Sequence, residues 1–334
     1  MRGIFFAIFS FVVVVVLIPL VILTSCDINI LPRNRVEERA IIESDLSIKI
    51  YNHETKQTME LYLEDYLLNV VASEMPAAFE IEALKAQAVA ARTYAIWRYM
   101  NHSKQGGHPE HPSAVLCTSH THCQEWLSTE ELLKRHGQKW FDQYWSKIEE
   151  AVNSTTGVVM TYNMNPIEPL YHSTSGGATE NSEDVFATAK PYLRSVSSPY
   201  EQGSPVLVDN KVITVKEFIN RMKREKSSIK ISERNLASQI KIIQRTQGGS
   251  IKEIQIGDQT FTGSQIRRMF DLRSADFNVD INGSSVEFTT RGYGHGVGMS
   301  QWGANGMAKQ GSDFEEILSH YYQGITLNKI KSYK

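Results

Sequence analysis

An α+β fold is what this chain of 334 residues predicts, and three observations predict it. Stretches with apolar residues every three or four positions stand apart from short alternating stretches, instead of interleaving with them as a doubly wound sheet requires. No internal repeat or long low-complexity tract is visible. An apolar run of membrane-spanning length opens the chain, so the folded part starts well downstream. The expected organisation is a mixed helix and strand core with an inserted α+β subdomain, preceded by an N-terminal transmembrane helix.

Taken in order, residues 4–24 are almost wholly apolar, about the twenty needed to cross a hydrocarbon core as a helix and longer than the apolar part of a cleaved signal. They read as an uncleaved anchor over residues 1–26, the short Arg2 end inside and the body outside. The charge bias is weak, because Arg33, Arg35 and Arg39 lie beyond the run. Leu23-Thr24-Ser25-Cys26 also resembles a lipoprotein cleavage box, which would make Cys26 a lipidated first residue. Either outcome tethers an extracytoplasmic domain. Residues 27–45 are charged and irregular, and read as a stalk.

Beyond the stalk, residues 46–50 alternate like a half-buried strand, with Met59 and Leu61 in its partner. A helix is predicted over residues 63–74 and a second over 80–102, where Ile81, Leu84, Ala88, Ala91 and Ala95 recur at spacings of three and four. A third helix, 141–153, carries Phe141, Trp145, Ile148 and Val152 on one face and stops before Gly157. Residues 158–162 and 170–174 read as strands. The character changes near Ser195. From about Pro199 to Ser285 the chain has its own pattern, with Ile254 and Ile256, then Thr262-Gly263-Ser264 before a helix at 266–270, then Phe277, Val279 and Ile281.

A net charge of −2 and the lack of a dense basic run argue against nucleic acid and leave recognition to a local groove. The most informative side chain is Glu74. Leu67, Val70 and Val71 share its helical face, and Pro76 disfavours helical geometry at Met75, so Glu74 sits at a helix end on an apolar stripe. Burial and the negative end of the helix dipole both penalise the anion, which keeps a proton ready for donation, as cleavage of a glycosidic bond needs. The plainer alternative is a carboxylate that caps its own turn or pairs with Lys85. Lys85 and Arg92, seven apart, stack on one face of the next helix.

Two further blocks could line a site. Tyr171-His172-Ser173-Thr174-Ser175-Gly176-Gly177 offers phenol, imidazole and hydroxyl groups at a strand end running into glycines. No Gly-x-Ser-x-Gly elbow frames its serines, which argues against a serine hydrolase. Arg291-Gly292-Tyr293-Gly294-His295-Gly296-Val297-Gly298-Met299-Ser300-Gln301-Trp302-Gly303-Ala304 alternates glycine with functional side chains. It lacks phosphate-loop spacing, so nucleotide binding is disfavoured. Buried turns account for most of its glycines, leaving Tyr293, His295, Gln301 and Trp302 as groove candidates. His108, His111, Cys117, His120, His122 and Cys123 fall within sixteen positions, a donor density suited to tetrahedral zinc. His111, Cys117, His122 and Cys123 would complete a set of four, with His120 the substitute. A Cys117–Cys123 disulfide is the alternative.

The run from Val70-Val71-Ala72-Ser73-Glu74-Met75-Pro76-Ala77 into Glu82-Ala83-Leu84-Lys85-Ala86-Gln87-Ala88-Val89-Ala90-Ala91-Arg92-Thr93-Tyr94 resembles the stage II sporulation protein D family, membrane-anchored lytic transglycosylases of peptidoglycan that act in endospore formation. The resemblance extends from about Leu46 to the C-terminus and resumes at Arg291. It therefore implies a catalytic core in two parts, 46–198 and 287–334, around an inserted subdomain at 199–286, although one continuous domain remains an alternative. It implies that Glu74 acts as acid and then base on the bond between N-acetylmuramic acid and N-acetylglucosamine, in glycan strands stripped of stem peptides, to leave 1,6-anhydro ends. Lys85, Arg92, Tyr171, His172, Ser173, His295 and Gln301 are then the candidates for holding the sugar. It further implies zinc on His111, Cys117, His122 and Cys123 as a structural staple, not required for the chemistry. The implied partners are the sporulation amidase, protein P, and membrane protein M; the implied location is the mother-cell membrane facing the forespore. Two other classes stay open: a non-catalytic activator or scaffold for an amidase, and a zinc-dependent peptidoglycan hydrolase.

Overall fold

A computed structural model describes residues 46–330. The anchor and stalk expected at 1–26 and 27–45 lie outside the described residues, and among those described no helix is long and apolar enough to cross a membrane. The architecture is α+β, with helices and several small sheets distributed over two apolar cores.

The hairpin of β1 (Ser47–Tyr51) and β2 (Thr58–Tyr62) pairs Ile48 with Leu61 and Ile50 with Met59, burying both isoleucines. It leads directly into α1 (Leu63–Glu74). Glu64 and Asp65 in the first turn complement the positive end of the helix dipole, and Leu63, Tyr66, Leu67, Val70 and Val71 are buried. Met75 is extended, as the residue before proline must be, so the helix ends on Glu74. Then α2 (Ile81–His102) runs through the middle of the core, with α1 and three later helices packed on it. Its alanines, Ala83, Ala86, Ala88, Ala90, Ala91 and Ala95, are all fully buried. Small side chains let neighbouring backbones come close on every side, which explains why this helix shows a weak apolar stripe.

Next, β3 (Leu116–Cys117) joins β1 in parallel, with Tyr51 opposite Cys117. A capping box between Ser128 and Glu131 starts α3 (Thr129–His136). Gly137, at a φ of 84°, turns the chain into α4 (Gln138–Ser154), which begins three residues before the expected 141. It is followed by β4 (Val158–Tyr162) and β5 (Asn165–Pro166). The strand expected at 170–174 shortens to β6 (Tyr171–His172), and Thr174 continues only as an isolated bridge to Tyr293.

A second apolar core is built by side chains from Ile213 to Phe288. It comprises β7 (Val208–Thr214), α5 (Val215–Glu225), β8 (Ile240–Arg245), β9 (Ile251–Ile256), β10 (Gln259–Phe261), α6 (Gly263–Phe270), β11 (Phe277–Asn282) and β12 (Ser285–Arg291). Its sheets run in the orders β11-β12-β7 and β10-β9-β8. Phe218 and Phe270 stack 5.1 Å apart, with the tilted Phe288 ring 5.0 Å from Phe270 and Phe277 5.8 Å from Phe288. The expected edge at residue 286 falls inside β12, whose Val286 and Phe288 both belong to this core.

The chain then returns to the first core. β13 (Met299–Ser300) pairs in parallel with β6, α7 (Gln301–Lys309) and α8 (Phe314–Tyr321) pack on α2, and β14 (Thr326–Lys329) pairs with β4. The glycines before β13 serve close packing. A Cβ on Gly298, at φ 73°, would fall 1.9 Å from the Leu170 carbonyl oxygen, and one on Gly294, at φ 121°, 2.7 Å from the His172 Cβ.

Candidate active site

A cleft of about 1040 Å³ opens at the C-terminal end of α1. Its walls come from the loop of residues 118–128, from α3 and α4, from β6, from the glycine-rich segment before β13, and from the start of α7. Glu74 lies in it because Pro76 ends α1 there. The carboxyl is only partly exposed, and loss of water raises its pKa from the usual carboxylate range to about 7. Two donors work against that rise. The Glu125 backbone N–H donates to Oε1 at 2.6 Å, and the Tyr171 hydroxyl beside the same carboxyl favours its charged form. The Glu125 side chain adds a like charge that pushes the value up again.

The donor role of Tyr171 is set by its neighbours. Gln124 Nε2 donates to the Tyr171 oxygen at 3.0 Å, and Tyr66 donates to Gln124 Oε1 at 3.4 Å. With an acceptor lone pair taken, the Tyr171 proton is free for Glu74. Burial, and then the Glu74 charge, hold the Tyr171 phenol above its ordinary value, so it remains a donor. The same loop is clamped to α1 by two more bonds, Asn69 Nδ2 to the Leu127 oxygen at 2.6 Å and Leu127 N–H to Ser73 Oγ at 3.1 Å.

Further along the cleft, His172 is 4% exposed, its Nδ1 lies 3.3 Å from the Val297 oxygen, and its Nε2 has no hydrogen-bond partner among the described residues. The His295 ring is 5.7 Å away, and its Nδ1 accepts from Val297 N–H. Burial pulls the two imidazoles down to about 3 and about 4, so both are neutral near pH 7. Ser173, Tyr293 and Trp302 border the same space. Gln301 has a different task. It donates from Nε2 to the Glu74 backbone oxygen at 3.0 Å, satisfying a carbonyl that the end of α1 leaves orphaned.

Beside the cleft, the ligand atoms of His111, Cys117, His122 and Cys123 all lie within 4.8 Å of one another. Cys117 Sγ is 3.4 Å from His122 Nδ1, Cys123 Sγ is 3.5 Å from the same atom, and Cys123 Sγ is 3.7 Å from His111 Nε2. Tetrahedral zinc with its usual bond lengths has donor separations of roughly 3.3–3.8 Å. The outer nitrogens are already engaged: His111 Nδ1 with the Ala114 oxygen at 2.7 Å, and His122 Nε2 with Glu110 at 3.3 Å. That leaves Nε2 of His111 and Nδ1 of His122 facing the sulfurs, the arrangement that orients metal-bound imidazoles. Both thiols are free. His120, the expected substitute, is exposed and borders the cleft instead.

The family model for stage II sporulation protein matches residues 51–162, the segment that carries Glu74 and all four His and Cys donors. The chain is 39% identical over 290 residues to stage II sporulation protein D of Bacillus subtilis, covering 87% of this chain and 81% of that protein. It is 38% identical over 296 residues to the Bacillus amyloliquefaciens protein of the same name, covering 89% and 83%. This chain belongs to the stage II sporulation protein D family. A more distant relative, a Bacillus subtilis protein named amidase enhancer, is 28% identical over 308 residues, spanning 78% of this chain and 40% of that one.

In this member of the stage II sporulation protein D family, two residues expected to hold substrate do not reach the cleft. Arg92 is fully buried and grips Glu64 with two bonds, Nε to Oε1 at 2.8 Å and Nη2 to Oε2 at 2.6 Å, while also donating to the Val152 and Val158 carbonyls. Lys85 pairs with Glu82 at 2.7 Å on its own helix rather than with Glu74. Arg92 lies where the face turns into the packed core, while Lys85, partly exposed nearer the helix start, is held by Glu82. Conversely, the sequence reading passed over Gln124, and over His136, Trp140 and Tyr144, which form one wall. His136 and Trp140 stack at 4.5 Å and Trp140 lies 6.1 Å from Tyr144. Trp140 and Tyr144, four apart on α4, were a visible signal masked by the more apolar neighbouring face of that helix, whereas His136 reaches them only across the Gly137 turn from α3. Arg267, from α6 in the second core, was also missed, because nothing local in sequence links it to Glu74.

Proposed function

We propose that this protein is a peptidoglycan lytic transglycosylase acting in sporulation, with Glu74 as acid and then base. One observation carries the reading: a single partly buried carboxyl, held near pKa 7 by desolvation, stands in a large cleft with a phenol donor beside it. Such a group is protonated in a useful fraction of molecules at neutral pH and can accept a proton in the next step. The other carboxylate of the cleft, Glu125, is tied to Arg135 at 2.9 Å, which disfavours a two-carboxylate hydrolysis.

In this mechanism Glu74 protonates the oxygen joining N-acetylmuramic acid to N-acetylglucosamine. The C1–O bond breaks through an oxocarbenium-like state. The Glu74 carboxylate, steadied by Glu125 N–H and Tyr171, then takes the proton from the C6 hydroxyl of the muramic residue as that oxygen closes onto C1. The products are a 1,6-anhydro end and a free sugar end, with Glu74 protonated again. His136, Trp140 and Tyr144 offer ring faces to the sugars. His111, Cys117, His122 and Cys123 would hold zinc, with four protein ligands and no open position. Bound there, the metal supplies order to the loop that presents Gln124 and Glu125, not a Lewis acid at the scissile bond. The anchor at residues 1–26, an extracytoplasmic location at the mother-cell membrane and association with protein P and membrane protein M belong to the same proposal.

Glycans incubated with the full chain should yield anhydro-muramic ends by mass spectrometry, and Glu74→Gln should lower their formation by about a hundredfold to ten-thousandfold without altering the melting temperature at pH 5. Equal product from both proteins would sink the mechanism. The amidase enhancer relative favours a second reading, activation of an amidase partner; there Glu74→Gln leaves the stimulation intact and no anhydro ends form.

A further inference from the structure

We propose that Arg267, supplied by the second core, reads a carboxylate on the muramic acid unit, and so sets the preference of the cleft for an acidic glycan over a neutral one. The inference rests on the glycan-cleaving reading above and deepens it. The cations among the candidates for holding the sugar, Lys85 and Arg92, are engaged by Glu82 and Glu64. Within the cleft the charged side chains are few. Arg135 is neutralised by Glu125, and His172 and His295 are neutral. Among the described residues of the walls, Arg267 is the arginine with no carboxylate partner.

Its geometry suits the task. Arg267 Nε donates to the Leu272 carbonyl at 3.3 Å, which fixes the guanidinium plane while leaving the two terminal nitrogens for a ligand. It has no ion pair among the described residues. Arg273, six residues on, sits 4.7 Å over the Tyr293 ring, and the Arg273 carbonyl accepts from Gly294 N–H at 3.1 Å. These contacts pin the end of α6 to the cleft wall that carries His295. A permanent positive charge therefore stands in a cleft whose walls also carry the aromatic rings of Trp140 and Tyr144, so a glycan bearing a carboxylate has a fixed point to meet it.

Two carboxylates could fill this place: the lactyl group, free only where the stem peptide is gone, and the carboxylates of the stem peptide itself. Binding of the full chain in detergent separates them. In a Glu74→Gln background, which prevents turnover, four ligands are titrated: stripped glycan, the same glycan with its lactyl groups converted to methylamides, peptide-bearing glycan, and a neutral N-acetylglucosamine oligomer. Arg267→Gln should weaken stripped glycan by about tenfold or more, as loss of a charged hydrogen bond does. It should leave the methylamide and the neutral oligomer unmoved, and Arg267→Lys should recover part of the loss. A loss confined to peptide-bearing glycan would support carboxylate reading with the stem peptide as its source. Equal weakening of the methylamide form would overturn the carboxylate role while leaving the transglycosylase reading intact. Failure of the parent to bind any glycan would remove both.

Discussion

Glu74 and Arg92 lie on neighbouring packed helices, and each removes a charged group from bulk water, yet they end in opposite conditions. Arg92 has a carboxylate, a threonine hydroxyl and two backbone carbonyls arranged around it, so its positive charge is matched on the spot. Glu74 has donors but, among the described residues, no cation, so its charge is resisted and its proton retained. Burial alone does not make a group reactive. The distinction lies in whether the surroundings were built to complete the charge or to leave it costly.

The largest expected effect follows from the completed pair. Arg92→Ala leaves Glu64 without its cation and should destabilise the fold by about 3–5 kcal/mol, read as a lowered denaturation midpoint with an unchanged slope. Changing both partners to apolar residues, Arg92→Met with Glu64→Leu, should recover most of that loss. If Arg92→Ala keeps full stability but loses glycan affinity, Arg92 is a substrate residue after all and the contrast with Glu74 fails.

A smaller effect is expected at the four His and Cys donors. Zinc bound at a hundredfold excess over its Kd stabilises the native state by about 2.7 kcal/mol, and Cys123→Ser should forfeit that stabilisation together with bound metal measured by elemental analysis. Because Gln124 and Glu125 follow directly on Cys123, turnover should fall with the loosened loop while the products remain anhydro ends. A chelator that stops the reaction without lowering the melting temperature would instead make the metal catalytic.

Much of this contrast was legible in the sequence, and the part that was not has physical causes. The end of α1 at Glu74 was readable because Pro76 acts on its immediate neighbour. The strand at 158–162 and the His and Cys donors were equally local signals. By contrast, α7 holds Gly303 and Gly306, which sequence rules count against a helix; a Cβ at Gly303 would lie 2.1 Å from the Tyr321 hydroxyl and one at Gly306 2.3 Å from Tyr200. Those glycines answer to packing across the chain. Lys85 and Arg92 shared a face as expected, but which partners waited opposite that face was a tertiary fact. The same holds for Arg267, some two hundred residues from Glu74 in sequence.

The finest test concerns the donors that moderate Glu74. With its pKa near 7, the acid step should fail as pH rises through that value, giving an alkaline limb there in kcat/KM. Tyr171→Phe removes a hydrogen bond to the charged form, about 1.5 kcal/mol or roughly one pH unit, so the limb should move upward. Stability has the matching sign. The native carboxyl binds its proton more tightly than the unfolded one, so between roughly pH 4.5 and 7 the native state carries more protons and stability falls as pH rises. Glu74→Gln should flatten that slope, and Tyr171→Phe should extend it to higher pH. A limb that Tyr171→Phe leaves in place would mean that the phenol does not donate to Glu74, and that desolvation with the Glu125 backbone and side chain sets its proton affinity.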